Sequence, residues 1–304
     1  MPKIALPLID ILKNLNTSFT TLISISSFCV LFGRAYQYLF FGAPYTALLW
    51  DESLLSPIVE KLGGSWYLYS TNPKTSQYIS VSILVSGLIF LTTSLTSLAN
   101  IERKYFLMVK KSMLVVSIFL LLFFGICVVK DKNYDLSQFF ELSAQFSGPL
   151  ILLWIIKKKP IRYSWEFLLR IVTAATFVPH GLFAIGIPYV PGNFIDMSIK
   201  ILRFTEDQSM NFLFTIGCLD LIFSCMLFVR KTAKIALIYC SIWGFITAFA
   251  RLLFGIQEDF FWSSLHQCFA HFMYRIPNGL IPLIALLLLS NFFQPISKIK
   301  SNEI

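Results

Sequence analysis

The sequence predicts an all-α, polytopic integral membrane protein with eight transmembrane helices in two parallel four-helix repeats. Three observations carry that expectation. Of 304 residues, 56% are hydrophobic and only 13% are charged, and the mean hydropathy is +0.71. A soluble domain carries about 25% charged residues, so lipid has to solvate much of this surface. Apolar stretches recur at about 18–42, 79–99, 112–130, 142–157, 165–188, 210–229, 235–255 and 274–293. A span needs about 20 such residues, with a range of about 17–25. Finally, lysines and arginines fall in every second gap between these stretches, as they do when positive loops stay on one side of a bilayer.

The charge count fixes a sided map. With the N-terminus placed in the cytoplasm, 15 of the 25 basic residues lie inside and 11 of the 16 acids lie outside. The inside clusters are Arg103, Lys104, Lys110 and Lys111, then Lys157, Lys158, Lys159 and Arg162, then Arg230, Lys231 and Lys234. Both termini are therefore expected in the cytoplasm. The net charge of +9 is confined to these short loops, where it orients helices and meets anionic headgroups. It does not point to nucleic acid. A cleavable signal peptide is not expected, because the first apolar run is too long for a signal h-region.

Taken in order, the first helix carries Gly33-Arg34 late in its length and closes on Phe41-Gly42-Ala43-Pro44-Tyr45. The 46–79 segment that follows is the longest loop. It opens on Trp50-Asp51-Glu52-Ser53 and continues with Leu54, Leu55, Ile58, Val59 and Leu62 at helical spacing, then Trp66, Tyr67, Tyr69 and Tyr78. Such a segment is suited to the outer membrane interface. The second and third helices follow, joined by the first basic cluster. The fourth is the weakest, interrupted by Glu141, Gln145, Gly148 and Pro149. The fifth closes on Ile185-Gly186-Ile187-Pro188-Tyr189, 144 residues after its counterpart. The 190–209 segment is a shorter outer loop with Ile195, Ile199 and Leu202 on one face. In the eighth helix, Gly279-Leu280-Ile281-Pro282 is expected to introduce a bend.

The order of helices, loops and turns divides the chain into residues 1–160, a first four-helix repeat with the long periplasmic loop, and 161–304, a second. Four spans per half give both halves one orientation, unlike the inverted repeats of many transporters.

The second half resembles the DoxX-like family of small four-helix membrane proteins. The resemblance rests on Leu169-Arg170, Phe177-Val178-Pro179-His180-Gly181-Leu182, Gly217, Asp220-Leu221 and the basic turn after Val229. The first half matches in outline only, with no His-Gly pair. The resemblance implies a membrane-complex subunit, with quinone-linked oxidoreductases among the family's associations.

Ionisable groups in spans are functional candidates. They are Arg34, Arg170, His180 and Asp220. Glu166, four residues before Arg170, is its expected partner. Asp51 and Asp220 are candidate partners for Arg34, and Arg34, His180 and Arg251 are candidates for Asp220. All three histidines map to the outer half. His180, His271 and Arg275 outline a pocket for a quinone or lipid, with a haem held between His180 and His271 as the weaker alternative. His266 and His271 do not share a helix face, so no metal site is expected. Six cysteines, none in a C-x-x-C pair, read as small hydrophobes. No phosphate loop, dinucleotide fingerprint, zincin motif or nucleophile elbow is present.

The expectation is a non-catalytic subunit or accessory factor of a bacterial inner-membrane complex, embedded in the lipid bilayer beside other subunits. The alternatives are a quinone-linked oxidoreductase subunit and a small-solute or lipid transporter.

Overall fold

A computed structural model describes residues 16–99, 101, 103–156 and 164–290, and the described chain is helical without a strand. The basic residues 157–159 and 162, and those at 3, 13, 298 and 300, lie outside the described residues. In chain order the helices are α1 (Asn16–Phe40), α2 (Tyr45–Leu49), α3 (Glu52–Lys61), α4 (Trp66–Thr71), α5 (Pro73–Leu98), α6 (Lys104–Asp131), α7 (Ser137–Glu141) and α8 (Ser143–Ile156). They continue as α9 (Ser164–Ile185), α10 (Gly192–Leu202), α11 (Glu206–Met226), α12 (Ala233–Gly255), α13 (Phe261–Met273) and α14 (Ile276–Leu289). Among the described residues, seven segments are long and apolar enough to cross a membrane, and Ser143–Ile156 is a shorter apolar helix. The protein is a multi-pass membrane protein by this architecture.

Several helices start earlier than the hydropathy pattern predicts, and local capping explains it. Asn72 accepts a hydrogen bond from the Lys74 backbone N–H at 2.9 Å, with Pro73 at the first helical position, so α5 begins six residues before the expected 79. A reciprocal capping box between Thr205 and Gln208 starts α11 at 206. Lys104, Lys110 and Lys111 lie on the first turns of α6 instead of in a loop. Lys110 is buried and donates to the carbonyls of Ser97 and Ala99 at 3.1 and 3.0 Å, which satisfies the C-terminus of α5.

α8 and α14 are the innermost helices. Each has 14 residues, about 21 Å at 1.5 Å per residue, short of a hydrocarbon core of about 30 Å. Each is preceded by a further piece of helix, α7 before α8 and α13 before α14, and the breaks fall after Glu141 and at Tyr274-Arg275. Backbone groups freed mid-bundle find partners, as a membrane interior demands. The Ala144 N–H donates to Thr176 Oγ1 on α9 at 3.0 Å, and the Asn278 N–H to the Arg275 carbonyl at 2.9 Å. The break at Tyr274-Arg275 lies about one turn before Gly279, and Pro282 lies within α14. Gly279 has a packing duty: a Cβ there would sit 2.6 Å from the Phe245 ring on α12.

α1 packs on α5, α8, α13 and α14, while α9 packs on α11, α14, α7 and α8, and α8 meets α14. Gly42 and Gly186 end α1 and α9 at φ of +82° and +102°, a backbone conformation that side chains resist. At the same end of the bundle, α2–α4 and α10 form a cap. In α3, Leu54, Ile58 and Leu62 are exposed, leaving an apolar face without protein cover. In α10, Phe194, Met197, Ser198, Ile201 and Leu202 line the cavity beneath it, Ile195 packs against the cluster of Phe183, Phe194 and Leu213, and Ile199 is exposed. The Phe194 ring lies 5.1 Å from the His180 ring and 5.4 Å from the Arg251 guanidinium, and these contacts set the rotation of the helix.

Candidate functional site: a polar core and a cavity beneath the cap

The buried charges form three constellations. The first is built on Arg34, whose guanidinium lies 3.9 Å from the centroids of both Phe124 and Tyr274. It donates to Gln37 at 2.7 Å and to Gln145 at 2.5 Å. A cation between two aromatic faces in a desolvated site gains roughly 2 kcal/mol or more from each. Neither Asp51 nor Asp220 takes part. Gln145, which marks the fourth helix as weak in the sequence, is Arg34's partner, so a helix-breaking feature and a buried cation explain each other. Asp51 pairs instead with Lys130 at 2.5 Å, tying the cap to the end of α6.

The second constellation joins the helix breaks. Arg275 Nη1 lies 3.1 Å from Glu141 Oε1, and both side chains are mostly buried. The third is His180, Asp220 and Tyr239. Asp220 is fully buried; its Oδ2 lies 2.9 Å from His180 Nδ1 and its Oδ1 accepts from the Tyr239 hydroxyl at 2.7 Å. This approach is made possible by Gly181 and Gly217. A Cβ on Gly217 would lie 2.6 Å from the Gly181 carbonyl, and one on Gly181 would lie 3.0 Å from the Asp220 Cβ. Small residues at a membrane helix crossing let polar side chains meet across it.

Arg170 pairs with Glu166 at 2.7 Å and donates to the Leu227 carbonyl at 2.9 Å, closing the far end of α9 against α11. His266 contacts the Tyr36 hydroxyl at 2.5 Å and lies among the rings of Phe40 and Phe41. Among the described residues no group of three or more His, Cys, Asp or Glu side chains is arranged to hold a metal ion.

Beneath α10 lies a cavity of about 150 Å³. Its polar lining includes His180, Arg251, Arg275, Trp243 and Thr247, and its apolar walls include Phe194 and Ile246. A second, much smaller space lined by Glu141 and Asn278 shares His180, Trp243 and Thr247 with it. Of the sequence-expected pocket residues, His180 and Arg275 are brought together here, while His271 is not in the lining and packs against Tyr274 with ring centroids 5.6 Å apart. His180 is also held on Asp220, so the two histidines do not face one another across this cavity. Arg251, Trp243 and Asn278 were not singled out as ligand contacts from sequence. Arg251 carried a signal, being charged within a predicted span. Trp243 and Asn278 carried none, because their roles depend on which way α12 and α14 face.

No family model, curated protein or solved structure matches this chain.

Proposed function

We propose that the protein is a non-catalytic, multi-pass membrane protein, an accessory component of a membrane complex, that holds a membrane-resident amphiphile in the cavity beneath α10. The observation that carries this reading is the cavity itself: apolar walls, a few convergent polar groups and an opening toward the lipid-facing side of α12. Few polar groups in an apolar cleft are what an amphiphile site needs. The deep charges support a structural role over a transport path, because Arg34, Asp220 and Glu141 are each engaged with named partners. A quinone is a second reading, favoured by His180 and the Trp243 N–H at one cavity. It fits the DoxX-like resemblance of residues 165–293.

The same reading places eight spans in two parallel repeats, 1–160 and 161–304, with the cap outside a bacterial inner membrane and both termini inside. It is supported by the matched positive-φ glycines ending α1 and α9, by the paired breaks before α8 and α14, and by the reciprocal packing of α1 on α13–α14 and α9 on α7–α8. The test is gentle extraction in a lipid-preserving polymer, followed by subunit and lipid-extract analysis. A stoichiometric amphiphile and a partner chain are the expected result. A protein isolated alone and free of any retained lipid or quinone overturns the reading.

A further inference from the structure

The cavity is unusual in what its polar groups lack. Arg251 makes no hydrogen bond or ion pair with a described residue; its guanidinium lies 5.4 Å from the Phe194 ring and within electrostatic reach of Glu141 and Arg275. The other buried cations are engaged: Arg34 on two glutamines and two rings, Arg275 on Glu141. Asp220 is held by His180 and Tyr239. Lys200 is occupied by the Phe254 and Ile256 carbonyls at 2.6 and 3.3 Å. A cation in a membrane span that makes no ion pair is costly.

Two more groups point the same way. Trp243 Nε1 and Asn278 Oδ1 are buried and have no hydrogen-bond partner among the described residues. Asn278 is only 6% exposed. Trp243 lines both the cavity and the smaller space beside it, and Asn278 lines the smaller one. Buried polar atoms are normally paired; here the indole donor lines both spaces, with a guanidinium on one and an amide acceptor on the other. A space of about 150 Å³ takes a group the size of benzene, which is headgroup scale. Ile201, Ile246 and Ala250 line the cavity and also an open apolar groove that runs along α12 past Ile242, Phe249 and Leu253. A ligand seated here has a polar end inside and an apolar tail in the groove.

We infer that the cavity binds a lipid with a monoanionic headgroup from the cap-side leaflet, the anion on Arg251, a headgroup hydroxyl between the Trp243 N–H and the Asn278 carbonyl oxygen, and an acyl chain along α12. This rests on the reading of the cavity as an amphiphile site. An anion gives Arg251 an ion-pair partner, a polyol headgroup supplies both a donor and an acceptor, and the chain covers the exposed face of α12. A neutral quinone gives Arg251 no ion-pair partner.

The test is native mass spectrometry of the full chain in mild detergent, titrated with phosphatidylglycerol or phosphatidylcholine carrying identical acyl chains. Glycerol phosphate serves as a chain-free competitor. A hydrogen bond to a charged group contributes about 1.5–3 kcal/mol, so phosphatidylglycerol should be retained about tenfold or more over phosphatidylcholine. Arg251→Gln should bring the two lipids level; Arg251→Lys should keep most of the preference. Ala250→Phe, which blocks the passage from cavity to groove, should weaken both lipids. Equal retention of the two lipids by the unaltered chain, or a preference that survives Arg251→Gln, overturns this inference and leaves the amphiphile site standing. Displacement by glycerol phosphate alone shows a soluble-anion site and overturns the lipid assignment. Retention of neither lipid overturns the amphiphile reading as well.

Discussion

Glu141→Gln is the most informative single perturbation of the core. Glu141 ends α7 and holds Arg275 at the start of α14, so this one pair bridges the two helix breaks at 3.1 Å. Removing one member of a buried pair leaves its partner as an uncompensated charge, at about 3–5 kcal/mol. Both side chains keep some exposure, 18% for Arg275 and 13% for Glu141, so the lower end applies. A loss of about 3 kcal/mol corresponds to a fall in Tm of roughly 6–12 °C, at about 2–4 °C per kcal/mol for chains of a few hundred residues. Arg251 lies within electrostatic reach of both members. Glu141→Gln therefore strands two guanidiniums, whereas Arg275→Gln leaves Glu141 facing Arg251. The carboxylate variant should be the less stable of the two. The double variant, Glu141→Gln with Arg275→Gln, should recover more than half of the loss, because the desolvation cost of both charges disappears with them. The assay is thermal unfolding of detergent-purified protein, followed by far-UV circular dichroism. Additive single effects, or a Glu141→Gln protein that melts within about 2 °C of the unaltered one, would refute the argument.

Two further perturbations follow from the same geometry. Asp220→Asn keeps an acceptor for the Tyr239 hydroxyl and should lose about 1–2 kcal/mol, whereas Asp220→Ala strips both charge-assisted hydrogen bonds and should lose about 3–5 kcal/mol; equal melting temperatures for the two variants would show that the carboxylate contributes nothing through these bonds. In the cap, the bond from Lys130, then that from Ser53, holds the Asp51 carboxyl down at about 2 from the usual 3.8. Because the folded value is the lower one, the contribution of this pair is complete above the usual carboxyl range and disappears only as pH falls through about 2. A carboxyl-carbon NMR titration of Asp51 with its midpoint near 4 would contradict it, the ordinary value being about 3.9.

Much of the fold was legible because hydrophobicity and charge act locally. A run such as 112–130 has no soluble alternative, and its mean composition says so without reference to any neighbour. Boundaries were less legible. Asn72 and Thr205 are capping residues in plain sight, yet hydropathy is blind to polar first turns, and α5 and α11 start earlier than it suggests. Arg34 and Asp220 were visible as costly charges, and His180 was among the partners named for Asp220, but the partners of Arg34 were not visible. Gln145, Phe124 and Tyr274 are distant in sequence from Arg34, and nothing in an uncharged glutamine or an aromatic ring announces which cation it will meet. How α10 sits depends on Phe194, whose ring lies against His180 and Arg251, and nothing in the sequence of that loop showed it.

By itself, the sequence determined that this chain lives in a membrane, that it crosses repeatedly, and which of its groups are too costly there to be incidental. Those properties follow from transfer free energies that each residue carries wherever it goes. Only the tertiary structure decided that α8 and α14 are short, broken and central, that Glu141 finds Arg275, and that Arg251 makes no ion pair above a cavity with Trp243 and Asn278. These depend on the relative rotation and depth of packed helices, which arise from many contacts at once and are written in no single segment of the chain.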